Sequence, residues 1–488
     1  MVAIRRGISV LTVAFAASAA VVPAALVPTA GAIVPPHVDE HAAPPSGSVG
    51  PVAPMGQRGA CVTAGVLPGT DPGAPGPGHT LLNVPGAWGY SRGDGQTVAV
   101  IDTGVHPGPR LPNVQAGGDF VENTDGLTDC DGHGTLVAGL IAGQPGADGF
   151  SGVAPGARIL AIRQTSERYA PRGNGGDPAA AHATIEVATL ARAVVHAADL
   201  GAKVIAVTAV TCLPADRPVD QTELGAALKY AVQEKDAVIV AAAGNDRAGL
   251  AGGPSCEANP LDNPGNNADP RNWAGVKSVS IPSWWQPYVL SVGSLDAAGQ
   301  PSDFTTPGPW VGIAAPGENI ASTGANGLAN ALPNERGDLF PLRSSSYAAA
   351  YVAGVAALVR SRFPALNAAD VTRRLTATAH GAARMPSNLV GAGVVDPVAA
   401  LTWDLPDTGA APKSVSVALP PAPAPKNTTP RTIAFTGAAV LAIAALIVRR
   451  DVAESMAQRK FFNTYGANPM GCAAGRATRR GGSRRPPA

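Results

Sequence analysis

The chain has 488 residues, of which 45% are hydrophobic and only 15% are charged, with 58 glycines and 47 prolines. This length and composition suit one large α/β domain with non-globular extensions. The formal net charge of +1 argues against an overall electrostatic attraction to nucleic acid, so no nucleic-acid partner is expected.

The N-terminus has the features of an export signal. Arg5 and Arg6 precede an apolar run rich in Ala, Val and Leu, and residues 30–32 have the small-x-small pattern of a cleavage site. The sequence therefore predicts a signal peptide over residues 1–32, with an uncleaved membrane anchor as the alternative. A Pro-rich arm follows over residues 33–60, and it is too short to form a folded inhibitory prodomain.

Two short strings place an acid and a base where a strand ends and a helix begins. VAVIDTG spans residues 98–104, and its apolar part is typical of a buried parallel strand that ends at Asp102. DGHGTLVAG spans residues 131–139, where His133 opens a small-residue segment that we expect to form a helix packed closely on the sheet. Asp102 would hold the tautomer of His133, which would act first as base and then as acid.

Two further strings supply a nucleophile and an anion-binding group. AVIVAAAGND spans residues 237–246 and predicts a buried strand that runs into Asn245. SSSYAAAYVAG spans residues 344–354 and places Ser346 at the start of an Ala-rich helix, where free backbone N–H groups favour a developing anion. We expect Ser346 to be the nucleophile, and the Asn245 amide and the Ser346 N–H to form an oxyanion hole.

Each of these four residues also has a purely structural interpretation. Asp102 would be a turn residue, His133 a hydrogen-bonded loop histidine, Asn245 a helix cap and Ser346 an N-cap serine. The four strings together, in one order and in matching contexts, favour catalysis. The order Asp, His, Ser along the chain distinguishes this pattern from other folds that share the same chemistry.

That order and its neighbouring residues resemble the subtilisin-like serine proteases. The resemblance implies an α/β fold with a mostly parallel sheet and helices on both faces, and an endopeptidase that acts on proteins or peptides. One departure is SSS at residues 344–346, where relatives have Gly-Thr-Ser, and we expect Ser344 to strain the turn or to slow the enzyme. Another is Thr208, which begins a TAV segment where many relatives have Ser-x-Gly, so the specificity pocket is expected to be unusual.

The cysteines predict two disulfide bonds. Cys212 and Cys256 each follow a predicted strand of one βαβ unit, whose strand ends are neighbours, so a bond between them is geometrically reasonable. Of the three pairings that four cysteines permit, this one leaves Cys61 with Cys130, three residues before His133. Such bonds need an oxidising compartment, and four free buried thiols are the alternative. A fifth cysteine, Cys472, lies near the C-terminus.

The composition changes after the predicted protease domain, which spans residues 61–404. Residues 405–431 form a Pro-rich, semi-rigid linker. Residues 432–448 are mostly apolar and would span about 25 Å as a helix, which is short but usable for crossing a membrane. Residues 449–488 hold nine Lys or Arg and two Asp or Glu, so the positive-inside rule predicts a cytoplasmic tail and a protease domain outside the plasma membrane.

Two other interpretations of this region stay open. A buried C-terminal helix of a soluble protein is one, although it fits poorly after a Pro-rich linker. The other rests on LPDTG at residues 405–409, which resembles a sortase sorting motif and would attach the protein to the cell wall. The 22 residues between Gly409 and Thr432 are more than such a sorting motif needs.

The whole architecture resembles the mycosins, the membrane-anchored subtilases of type VII secretion systems. GAGVVDPVAALT at residues 391–402 and the YAAAY run after Ser346 are similar to that family. The resemblance implies association with the type VII secretion machinery, few substrates among exported proteins, and a structural role in the secretion complex. Two functions therefore remain, a selective endopeptidase or a mainly structural component whose site is slow or vestigial. No cofactor and no metal site are predicted.

Overall fold

The structure is a computed structural model that describes residues 33–172, 178–246, 256–334, 336–382, 386–405 and 429–462. The chain divides into two units, one up to Pro406 and one from Asp407 onward. The predicted signal peptide, nearly all of the linker up to residue 428, Cys472 and the last part of the basic tail lie outside the described residues.

Strands and helices alternate through most of the first unit. The strands are β1 (Met55–Gln57), β2 (Thr97–Asp102), β3 (Val114–Asp119), β4 (Arg158–Arg163), β5 (Tyr169–Pro171), β6 (Val204–Val207), β7 (Thr211–Pro214), β8 (Val238–Ala242), β9 (Ser278–Ile281), β10 (Val289–Leu295), β11 (Val311–Pro316), β12 (Ser322–Gly324), β13 (Gly327–Ala329), β14 (Ala331–Pro333), β15 (Leu339–Pro341), β16 (His380–Gly381) and β17 (Gly393–Val394). The helices are α1 (Pro77–Leu81), α2 (Val84–Ala87), α3 (His133–Ala142), α4 (Pro178–Asp199), α5 (Thr222–Lys229), α6 (Ser345–Arg362), α7 (Ala368–Ala377), α8 (Pro397–Thr402) and α9 (Thr429–Phe462).

The centre of this unit is a sheet with the strand order β16-β17-β11-β10-β8-β6-β2-β4-β3. Every neighbouring pair is parallel except β16 and β17, which are antiparallel. Alternate residues of β2 face opposite sides, so Val98 and Val100 pack with α3 and α6, whereas Ala99 and Ile101 pack with α4 and α5. The predicted mostly parallel sheet with helices on both faces is therefore confirmed.

Parallel pairing brings the predicted site residues to one edge of the sheet. In β2 and β6, Ile101 pairs with Val207, so Asp102 ends its strand beside Thr208. Val207 in turn pairs with a residue near the end of β8, which leads into Asn245. The carboxyl ends of neighbouring parallel strands lie at the same edge, which is where α/β proteins place their sites.

The Pro-rich arm follows the surface of the first unit. Its strand β1 pairs antiparallel with β5, and the N–H of Gly50 donates to the carbonyl of Asp119 at 2.8 Å. The Arg192 guanidinium donates to the hydroxyl of Ser48 at 3.1 Å. These contacts hold the arm in a defined place along the domain although it contains little regular structure of its own.

Helix α9 belongs to the second unit and has the composition of a membrane span. Within it, Ile433–Met456 is a 24-residue segment with a mean hydropathy of 1.8, and it is the one helix among the described residues that is long and apolar enough to cross a membrane. The segment starts one residue after the predicted start of the span at residue 432. It continues beyond the predicted end at residue 448 and includes Arg449 and Arg450.

Candidate active site

Asp102 is a fully buried carboxylate at the end of β2. Its Oδ1 accepts a hydrogen bond from the N–H of Thr103 at 2.7 Å, and its Oδ2 accepts one from the hydroxyl of Thr208. Burial alone would raise the pKa of Asp102. The charge and hydrogen bond of His133, together with the hydrogen bond from Thr208, outweigh burial and hold that pKa below its usual value.

His133 is the first residue of α3, and its ring is paired with Asp102. The Nδ1 of His133 lies 2.8 Å from Oδ1 of Asp102, which leaves Nε2 facing away from the carboxylate. Nε2 is buried and has no hydrogen-bond partner among the described residues. Burial lowers the pKa of His133, but the charges of Asp102, Asp129 and Asp131 and the Asp102 hydrogen bond outweigh it and raise the pKa above its usual value.

Gly134 allows this pairing because α3 approaches the loop after β2 very closely. A Cβ atom on Gly134 would lie 2.1 Å from the carbonyl oxygen of Gly104 and 3.1 Å from Oδ1 of Asp102. No side chain fits at those distances, so only glycine lets the first turn of α3 reach Asp102. The small residues that follow His133 in the sequence therefore determine where the imidazole lies.

Asp129 organises the turn that leads into His133. Its carboxylate accepts hydrogen bonds from the N–H groups of Asp131 and Gly132 and from both the N–H and the hydroxyl of Thr135. It also accepts one from the hydroxyl of Thr103 at 2.9 Å. Burial raises the pKa of Asp129 to about 6. This carboxylate therefore connects the residue after Asp102 with the first turn of α3.

Ser346 lies in the first turn of α6, beside the Asp102 and His133 pair. Its hydroxyl donates to the main-chain carbonyl of Thr208 at 2.9 Å, and Thr208 is the same residue whose hydroxyl binds Asp102. The ring of Tyr347, the next residue in α6, lies 5.6 Å from the ring of His133. Asp102 and Ser346 thus both bind Thr208, and the Ser346 hydroxyl is bonded to a carbonyl instead of to the imidazole.

Asn245 and Ser346 direct N–H groups at one point, and a side chain already occupies it. The Nδ2 of Asn245 donates to the Ser344 hydroxyl at 3.0 Å, and the N–H of Ser346 donates to the same oxygen at 3.1 Å. The Oδ1 of Asn245 accepts from the N–H of Ser345 at 3.0 Å, which fixes the orientation of the amide. Both predicted N–H donors are therefore present, and both already bind the Ser344 hydroxyl.

The prediction that Ser344 strains the turn is wrong. Its backbone has φ of −175° and ψ of 155°, an extended conformation open to any residue. Ser344 is the N-cap of α6, and its hydroxyl takes up one of the N–H groups that a helix start leaves without a partner. The side chain thus changes the hydrogen bonds of the site and not the path of the backbone.

Comparison with known proteins assigns this arrangement to a family. The model of the Subtilase family, Peptidase_S8, matches residues 93–393. Mycosin-3 of Mycobacterium tuberculosis is 65% identical over 439 residues, which cover 89% of this chain and 95% of that protein. The chain belongs to the mycosins within the subtilase family. It is a serine protease that acts on protein substrates.

Solved structures of mycosins have the same fold. The structure of the MycP3 protease from the type VII (ESX-3) secretion system superposes with a TM-score of 0.74 and 67% identity, covering 76% of this chain and all of that one. A chain in the intact ESX-5 inner membrane complex superposes with a TM-score of 0.74 and 44% identity, covering 87% of this chain and all of that one.

This mycosin has both predicted disulfide bonds. Cys61 pairs with Cys130 across 69 residues, and Cys212 pairs with Cys256 across 44 residues. The first bond joins the segment that follows β1 to the loop before His133. The second supports the loop of Asn245, because the N–H of Cys256 donates to the carbonyl of Asn245 at 2.8 Å.

Sequence reasoning missed three contributors to the site of this mycosin. Thr208 was noted only as a departure in the substrate-binding segment, whereas the structure places it between Asp102 and Ser346. Thr103 and Asp129 were not singled out, although the polar residues beside Asp102 and shortly before His133 could have indicated a hydrogen-bonded turn. Within the described ranges, no group of three or more His, Cys, Asp or Glu side chains is arranged to hold a metal ion.

Proposed function

We propose that this mycosin is an endopeptidase that uses Asp102, His133 and Ser346 as its catalytic triad and cleaves selected exported proteins. The observation that carries the proposal is the 2.8 Å contact between Nδ1 of His133 and Oδ1 of Asp102 at the same sheet edge as Ser346. With Nδ1 bonded to a carboxylate, the other ring nitrogen is free to accept a proton. Nε2 has that role and has no partner among the described residues.

The reaction follows from these positions. The Ser346 hydroxyl turns from the Thr208 carbonyl towards Nε2 of His133, gives its proton to Nε2, and its oxygen attacks the scissile carbonyl carbon. The carbonyl oxygen becomes an oxyanion bound by Nδ2 of Asn245 and the N–H of Ser346. His133 then protonates the leaving amine, and water hydrolyses the acyl-enzyme by the same route in reverse. Throughout, Asp102 stabilises the imidazolium.

We further propose that the protease domain lies outside the plasma membrane and works as part of a type VII secretion complex. Two observations support this location. The similar chain in the ESX-5 complex belongs to an inner membrane assembly, and residues 433–456 are long and apolar enough to span a membrane. The excess of basic residues in 449–488 supports a cytoplasmic tail.

A second function, stabilisation of the secretion complex with slow proteolysis, is favoured by one feature of the site. The Ser346 hydroxyl is bonded to Thr208, and the two proposed oxyanion donors are bonded to Ser344. An enzyme that rests in this state must rearrange before each acylation. Slow turnover with a separate role in assembly is consistent with that requirement.

Two variants separate these functions. Ser346→Ala removes the nucleophile and leaves the rest of the chain intact, whereas deletion removes both roles. We expect Ser346→Ala to stop cleavage of exported substrates while secretion persists, and deletion to stop both. Equal loss of secretion in the two strains would contradict a separate structural role, and unchanged cleavage by Ser346→Ala would contradict the triad.

A further inference from the structure

Ser344 occupies the position that a reacting carbonyl oxygen needs. Its Oγ is the point at which Nδ2 of Asn245 and the N–H of Ser346 converge, at 3.0 Å and 3.1 Å. In the proposed reaction the same two groups bind the oxyanion. Because both donors already have an acceptor, a substrate carbonyl reaches them only when the Ser344 hydroxyl leaves.

The hydrogen bonds of this hydroxyl are complete. A serine hydroxyl donates one hydrogen bond and accepts two. Ser344 Oγ accepts from Asn245 and from the N–H of Ser346, and it donates to the Oγ of Ser346 at 3.0 Å. The side chain is also fully buried, so no exchange with solvent competes for these bonds.

The same hydroxyl also holds the nucleophile away from its base. Ser346 Oγ accepts the proton of Ser344 and directs its own proton at the Thr208 carbonyl, 2.9 Å away. His133 Nε2 meanwhile has no partner in the described part of the chain. One side chain therefore both fills the oxyanion position and helps to fix Ser346 in an unreactive orientation.

We infer that Ser344 is an internal latch that keeps the resting enzyme inactive until the substrate carbonyl displaces its hydroxyl. This inference rests on the proposed triad and deepens it. The main chain at Ser344 stays in place during the exchange, because its N–H donates to the carbonyl of Gly317 at 2.9 Å and its carbonyl accepts from the N–H of Tyr347 at 3.2 Å. Only the side-chain torsion of Ser344 has to change, so Ser344 is a positioning residue.

A fluorophosphonate probe on the full-length protein in detergent tests the latch. Ser346 Oγ forms a bond to phosphorus as fluoride leaves, its proton passes to His133, and the phosphoryl oxygen takes the oxyanion position. We expect Ser344→Gly and Ser344→Ala to label Ser346 about tenfold faster than the natural sequence, which corresponds to about 1.4 kcal/mol. In peptide hydrolysis kcat should rise while KM stays unchanged.

Two control variants isolate the hydroxyl. Ser344→Thr retains it and should label more slowly than Ser344→Gly and Ser344→Ala. Ser361→Ala removes a hydroxyl near the other end of α6, where it donates to the carbonyl of Asp94 at 2.9 Å, and should leave the rate unchanged. Thermal unfolding of each variant shows whether the folded fraction is equal, since loss of an N-cap side chain destabilises a helix and glycine does so less than alanine.

The outcomes separate the latch from the triad. Labelling at Ser346 that is equal or slower in both Ser344→Gly and Ser344→Ala overturns the latch and leaves the triad in place. Labelling that is absent in every variant, or that persists in Ser346→Ala, overturns the triad and the latch together. Labelling of Ser344→Gly and Ser344→Ala alone, with none in the natural sequence, supports the latch in its strongest form.

Discussion

The hydroxyl of Thr208 donates a hydrogen bond to Oδ2 of Asp102, at the edge of the sheet where β2 and β6 end side by side. The main-chain carbonyl of the same threonine accepts the hydroxyl proton of Ser346. One residue therefore contacts the carboxylate and the nucleophile at opposite ends of the proposed triad. Its two polar groups have separable roles, because substitution removes the hydroxyl and leaves the carbonyl.

Thr208→Val is expected to lower kcat about tenfold to a hundredfold with little change in KM. The substitution preserves shape but leaves Oδ2 of a fully buried carboxylate without that donor, and a hydrogen bond to a charged group contributes about 1.5–3 kcal/mol. Steady-state kinetics on a peptide substrate provides the measurement. Thr184→Val, on the exposed face of α4, is the control, and an equal loss in both variants would contradict a role for the Thr208 hydroxyl.

The acid limb of the pH profile should reflect the raised pKa of His133. The base must be neutral to accept a proton, so kcat/KM falls as the pH drops through that pKa. Asp131→Asn removes one of the negative charges that raise it, so the limb should move to lower pH. Asp199→Asn, at the far end of α4, should leave the limb in place. A shift in the opposite direction for Asp131→Asn would refute this account of the electrostatics.

Gly134→Ala is expected to reduce both activity and stability. The added methyl group would overlap the carbonyl of Gly104 and push His133 away from Asp102. A displacement of about 1 Å can cost about a hundredfold in rate. The matched control is Gly108→Ala, where an added Cβ has no atom within 4 Å. Comparable kcat/KM in the two variants would show that the close approach of α3 is not required.

Loss of the Cys61 and Cys130 bond should destabilise the loop that leads to His133. Replacing both cysteines with alanine removes a cross-link over 69 residues, which is expected to lower the free energy of unfolding by about 2–4 kcal/mol. Denaturant unfolding of the double variant against the natural sequence measures this change. An unchanged midpoint would indicate that packing alone holds the loop.

The apolar segment Ile433–Met456 should be necessary to keep the enzyme in the membrane fraction. A chain truncated after residue 405 is expected to appear in the soluble fraction with its fluorophosphonate reactivity retained, because the sheet and all the site residues precede that point. Cell fractionation followed by probe labelling measures both properties. Retention of the truncated chain in the membrane would contradict this role and would point to an uncleaved N-terminal anchor or to a membrane partner of the protease domain.

The sequence predicted the positions of Asp102 and His133 well, because buried parallel strands and small-residue helices have strong local patterns. It also predicted both disulfide pairs, since neighbouring strand ends favour Cys212 with Cys256 and this pairing leaves Cys61 with Cys130. The sequence could not predict the orientation of the Ser346 hydroxyl. That orientation depends on a single side-chain torsion and on a carbonyl 138 residues away, at Thr208.

The error at Ser344 has a physical cause. The expectation of strain assumed that this position has a backbone conformation that only glycine tolerates. The conformation is extended, so serine fits there without backbone strain. Its side chain affects the site only through the hydrogen bonds of its hydroxyl. Local sequence indicates which residue types are present, whereas the consequence of a substitution depends on φ and ψ values that tertiary packing determines.

The bond between Cys61 and Cys130 links the covalent structure of the loop before His133 to the compartment in which the chain lies. Thiols stay reduced in the cytoplasm, so a newly made chain there lacks the disulfide bond that holds the loop before His133. The disulfide bond forms only after the polypeptide has entered an oxidising compartment. In the proposed location outside the plasma membrane, the loop before His133 therefore gains this cross-link only after export.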